Sequence, residues 1–81
     1  VVELNRAVAV AMCEGPERGL ELIGEIEGLG GYQPLHTARA DLLRRLGRSG
    51  EAAESYRQAL ELTANPVERR FIERRLGTLS R

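Results

Sequence analysis

The stretch Glu51-Ala52-Ala53-Glu54-Ser55-Tyr56-Arg57-Gln58-Ala59-Leu60-Glu61-Leu62 decides how this chain folds. Ala52, Ala53, Tyr56, Ala59 and Leu60 recur at spacings of three and four, which puts them on one face of a helix. The stripe alternates small residues with one aromatic. Small residues let a second helix approach closely, and a single tyrosine fills the gap that this leaves. The segment therefore predicts a helix, about residues 50–63, that nests against a neighbour.

Working outward, Gly47-Arg48-Ser49-Gly50 is a tight turn. Gly47 is placed as a left-handed cap for the helix before it, and Ser49 as the cap of the helix after it. The preceding helix spans about 34–46, with Leu35, Ala38, Leu42 and Leu46 facing one way and Leu43 beside them. Gly28, Gly30 and Gly31 form a loose connection to a helix over about 16–27, striped by Leu20, Ile23 and Ile26. Gly15-Pro16 separates that helix from one over about 1–14, striped by Leu4, Ala7, Val8 and Ala11. Proline is acceptable at such a helix start because its missing N–H would have no partner there. On the far side, Asn65-Pro66 breaks the chain before a fifth helix, about 66–79, expected to bury Val67, Phe71, Leu76 and Ile72. No segment alternates with the period of a strand. Short turns between consecutive helices favour antiparallel neighbours. The fold class is all-α, built of antiparallel helical hairpins.

The pattern repeats. Gly15 and Gly47 close the first and third helices at an offset of 32 residues. Residues 36–63 resemble a tetratricopeptide repeat, with Ala40, Leu43, Ala52, Tyr56 and Ala59 at its small and large positions. Arg39 departs from that pattern, the closing proline comes late at Pro66, and in the first copy Leu20 replaces the alanine and Gly24 the aromatic. The resemblance implies a single tetratricopeptide-like domain over 1–81, a right-handed superhelix of about five helices. A plain helical bundle is the alternative. In such arrays the first helix of each pair lines a concave face that takes an extended or helical peptide. That face would carry Asn5, Ala9, Met12, Thr37, Asp41 and Arg44, with Asn5 equally suited to capping a neighbouring helix.

A narrower resemblance runs the length of the chain. It rests on Val2-Glu3-Leu4-Asn5-Arg6-Ala7-Val8-Ala9, on Glu14-Gly15-Pro16, and on His36-Thr37-Ala38-Arg39-Ala40-Asp41-Leu42-Leu43-Arg44-Arg45-Leu46-Gly47-Arg48. Glu51-Ala52-Ala53 with Tyr56-Arg57, and Asn65-Pro66-Val67-Glu68-Arg69-Arg70-Phe71-Ile72-Glu73-Arg74-Arg75-Leu76, complete it. Together these resemble the C-terminal, tetratricopeptide-like extension of bacterial extracytoplasmic-function sigma factors. The resemblance implies a parent protein that directs RNA polymerase to promoters. It implies an extension that regulates this activity through protein contacts, with other regions of the sigma factor, with RNA polymerase or with a regulator. No membrane anti-sigma factor is implied. The polymerase-binding and helix-turn-helix regions lie outside these residues, so direct promoter binding by this segment is not expected. The helical pattern is already running at Val2 and Leu4, which reads as a segment of a longer protein.

Composition narrows the chemistry. The chain has 81 residues, with 12 basic and 12 acidic side chains and zero net charge. All the basic residues are arginine. A nucleic-acid binder usually carries a basic excess to neutralise phosphates. Arg44, Arg45 and Arg48 cluster, as do Arg69, Arg70, Arg74 and Arg75. Glu73 lies four residues from Arg69 and Asp41 four from Arg45, spacings that favour a solvated, ion-paired surface. The one cysteine, Cys13, forms no intrachain disulfide, fits a reducing compartment and is expected to pack as a small apolar group. A cytoplasmic location is expected, since no stretch is long enough to span a membrane and no signal peptide is visible. His36 is the only histidine and lacks the companions of a zinc site. Nothing pairs it with Cys13 as a nucleophile, and the glycines lack a phosphate-binding pattern. No catalytic residue, cofactor or metal is expected. An unrelated peptide-binding adaptor and a homodimer are the remaining readings of an array with only two repeats.

Overall fold

In the computed structural model, residues 2–26, 28 and 31–79 are described, Val2 by its backbone alone. They form α1 (Val2–Glu14), α2 (Pro16–Glu25), α3 (Gln33–Arg45), α4 (Ser49–Glu61) and α5 (Pro66–Leu79). No strand occurs among the described residues. Every helix begins and ends within about two residues of the boundary read from sequence. Gly30 and Glu27 lie outside the described residues, so the glycine connection is seen only at Gly28 and Gly31.

Each boundary has a local cause. Gly15 sits at φ 106° and turns the chain in one residue, after which Pro16 opens α2. Gly47 is left-handed at φ 76°. Its N–H donates to the Arg44 carbonyl (3.0 Å) and the Arg48 N–H donates to the Leu43 carbonyl (3.0 Å), the paired bonds that satisfy the last carbonyls of α3. Ser49 is not a cap: α4 starts at Ser49 itself, with Arg48 in the cap position and no side-chain cap bond. At α5, Asn65 Oδ1 accepts from the N–H of Val67 (2.8 Å) and of Glu68 (3.3 Å). Arg69 Nη1 reaches back to the carbonyls of Leu60 (2.8 Å) and Thr63 (3.1 Å). A guanidinium is favourable there, against the negative end of α4. Arg69 thus bonds to backbone rather than to Glu73.

Two apolar clusters form the core. Leu4, Ala7 and Ala11 of α1, Ile23 of α2, and Leu35 and Leu42 of α3 make the first. Ala40 and Leu43 of α3, Ala52, Tyr56 and Ala59 of α4, and Ile72 of α5 make the second. Leu20 packs against both. Helix α3 is central because it contributes to both clusters, Leu35 and Leu42 to the one with α1 and α2, and Ala40 and Leu43 to the one with α4 and α5. A single stripe with Leu43 beside it understates this.

The buried positions recur at an offset of 33, not 32. Ala7 matches Ala40, Gly19 matches Ala52, and Ile23 matches Tyr56. Gly19, rather than Leu20, is thus the small residue of the first pair, and Ile23, rather than Gly24, fills the aromatic's place. The turn glycines mislead by one residue because Gly15 stands one residue before α2, whereas Gly47 stands two residues before α4. A Cβ on Gly19 would collide with the Ala11 Cβ and stand 3.1 Å from both the Ala7 carbonyl oxygen and Leu42 Cδ1. The helices touch there.

Helix α5 corrects another expectation. Ile72 is its buried residue at 1% exposure and Leu76 is half-buried, whereas Val67 and Phe71 are 75% and 46% exposed. Ile72, Leu76 and Leu79 pack into the second cluster, and Val67 and Phe71 fall on a neighbouring, exposed side of the helix. Val8 on α1 is likewise exposed, at 37%. Cys13 is exposed rather than packed as a small apolar group. It lies on the outer side of α1, away from the Leu4–Ala7–Ala11 stripe.

Candidate interaction surface on α1, α3 and α5

Two depressions lie between odd-numbered helices. A groove between α1 and α3 is walled by Val8, Met12, Ala38, Asp41, Leu42 and Arg45. A second depression, between α3 and α5, is walled by Arg44, Phe71, Arg74, Arg75 and Thr78. The pairing of Arg75 with Asp41 separates them: Arg75 Nη1 donates to Asp41 Oδ1 at 2.9 Å. Asp41 therefore serves Arg75 on α5, and the i, i+4 pairing with Arg45 read from sequence is replaced by this tertiary contact.

Tyr56 explains why Asp41 is placed so firmly. Its ring is fully buried in the second cluster, and its hydroxyl donates to Asp41 Oδ1. Burial raises the phenol's pKa above its ordinary value, and the hydrogen bond to Asp41 adds to the rise, while Arg44 and Arg75 pull the other way. The neutral phenol is thus a fixed donor. One carboxylate oxygen ties α3 to α4 and to α5. Arg75 is further held by the Phe71 ring, with its guanidinium carbon 4.5 Å from the ring centroid.

Of the six candidate residues, Met12 and Asp41 share the α1–α3 groove, and Met12 is 74% exposed. Arg44 lines the α3–α5 depression instead. Thr37 is half-buried and locally occupied, accepting from Gln33 Nε2 (2.6 Å) and donating to the Gln33 carbonyl (3.3 Å). Asn5 and Ala9 are exposed on α1 and line neither depression. The sequence reading missed Phe71, Arg74 and Arg75 as parts of this surface, and the buried Tyr56 as the donor that fixes Asp41 beneath it. A signal existed in the spacing of Phe71 and Arg75, one helical turn apart, but the aromatic was assigned to the core.

Elsewhere the surface is charge-balanced. A depression beside α2, α3 and α4 sets Arg39 and Arg48 against Glu51 and Glu54. There Arg48 Nη2 donates to Glu51 at 2.8 Å, and its hydrogen bonds hold the Glu51 carboxyl below its usual range. Among the described residues no group of three or more His, Cys, Asp or Glu side chains is placed to hold a metal ion. No helix among them is long and apolar enough to cross a membrane.

The chain is similar to an uncharacterized protein of Rhizobium meliloti (strain 1021), with 42% identity over 81 residues. The match covers 99% of this chain and 19% of that protein, so the chain spans less than a fifth of the relative's length. No family model matches the chain. No solved structure matches it.

Proposed function

We propose that this chain is the regulatory protein-interaction domain of a bacterial extracytoplasmic-function sigma factor, arranged as a tetratricopeptide-like right-handed superhelix. The observation that carries the reading is the ordered set of motifs from Val2 to Leu76. It is supported by two helix pairs whose small and large core residues recur at 33, followed by a closing helix. A relative much longer than the chain accords with a segment that works inside a larger protein. The domain is a cytoplasmic, non-catalytic piece that contacts protein: other regions of the sigma factor, RNA polymerase, a regulator or a second copy. Promoter recognition belongs to the rest of the parent.

The test is to delete these residues from the full-length protein. Promoter-specific transcription and binding to core RNA polymerase are then measured with purified components. A change in either supports the reading. Unchanged transcription together with unchanged core binding overturns it.

A further inference from the structure

The α3–α5 depression differs from the rest of the surface. Arg44, Arg74 and Arg75 line it and no acidic side chain does, on a chain whose net charge is zero. Arg75 is committed to Asp41. Arg44 and Arg74 have no carboxylate partner among the described residues and are exposed. Beside them Phe71 is half exposed, and Val67, one turn earlier on the same side of α5, is more so. An aromatic and a valine left in water beside two guanidinium groups that lack a carboxylate form a mixed surface.

We propose that this depression docks an extended acidic segment of a partner protein, with carboxylates on Arg44 and Arg74 and an apolar side chain against Phe71. Charge complementarity selects the acidic residues. The fork geometry of arginine suits carboxylates, and Arg75 already holds one in this wall. The Phe71 ring is presented rigidly because Arg75 stacks on it and Asp41 fixes Arg75. A nucleic acid fits less well: Glu68 and Glu73 stand on the same helix, and the chain offers no basic excess to a phosphate backbone. The proposal rests on reading the chain as an interaction module and not on the sigma-factor assignment.

Fluorescence anisotropy on the 81-residue chain tests it. The probe is a labelled peptide of aspartates and glutamates around one central leucine, compared with its asparagine and glutamine counterpart and with labelled duplex DNA. The expected result is saturable, salt-sensitive binding of the acidic peptide alone. Arg44→Glu and Arg74→Glu should each weaken it about tenfold, and Phe71→Ala several-fold. Arg18→Glu, on the distant α2, should leave it unchanged. Arg44→Gln and Arg74→Gln provide milder variants, and circular dichroism confirms that each variant is folded. No saturable binding at low salt, equal losses with Arg18→Glu, or DNA bound as tightly as the peptide would each overturn the proposal. Failure here leaves the deletion assay on transcription untouched, so the two readings fail separately.

Discussion

Tyr56 is the aromatic of the second cluster and the donor that positions Asp41, so one substitution separates packing from hydrogen bonding. Tyr56→Phe keeps the ring and removes the hydroxyl. Asp41 retains Arg75, so the expected loss is about 1 kcal/mol in urea unfolding at neutral pH. The folded-state pKa of the phenol is raised, so the folded protein keeps its proton at a pH where the unfolded chain releases it. The stabilisation is complete below ~10, the unfolded value, and is lost as pH climbs through the folded one. The stability gap between wild type and Tyr56→Phe should therefore stay level at neutral pH and shrink only above ~10; a gap that closes near neutrality would contradict the assignment. Gly19 gives a second residue-scale outcome. Alanine favours a helix over glycine by about 1 kcal/mol, yet at Gly19 it meets Ala11. Gly19→Ala should lower stability by about 1–3 kcal/mol. Gly24→Ala, where nothing lies within 4 Å, should raise it. Both are read from denaturation midpoints.

At the scale of elements, α5 shows how much a helix's own pattern leaves open. Val67, Phe71, Ile72 and Leu76 are apolar around about half of its circumference, and propensity does not select which side meets α4. The choice falls on Ile72, which is buried in the second cluster with Tyr56 and Ala59. Ile72→Ala should cost about 2–4 kcal/mol through the cavity it leaves. Phe71→Ala should cost far less, although it removes the larger side chain, because Phe71 is 46% exposed. Thermal unfolding of the two variants checks the order, and a larger loss for Phe71→Ala would place the wrong face of α5 against α4. The turns, by contrast, were legible. Gly15-Pro16, Gly47 and Asn65-Pro66 act through φ, a missing N–H and a cap, all within a few residues of chain. The register of the repeat was misjudged for the complementary reason: turn glycines mark where helices stop, and core contacts mark how they pair.

For the whole molecule, α3 holds the two clusters together by contributing residues to each, and Leu20 bridges them. The radius of gyration, 12.0 Å, is close to the ~12 Å of a compact domain of this length. The two clusters are therefore packed against each other through α3 and Leu20. Unfolding is expected as a single transition, with far-ultraviolet and near-ultraviolet circular dichroism midpoints that coincide. Two separated midpoints would mean that the clusters melt independently.

The sequence by itself determined the helices, their turns, the small-residue packing and the absence of strand pattern, since these follow from local periodicity and backbone chemistry. It also pointed to Met12, Asp41 and Arg44 on the odd-numbered helices. Only the tertiary structure decided what those residues face. Asp41 turned from a neighbour of Arg45 into the partner of Tyr56 and Arg75, and Phe71 from a core residue into part of a basic surface. The reason is physical: spacing along a helix places side chains on a face, but burial and charge pairing depend on which other helix that face meets.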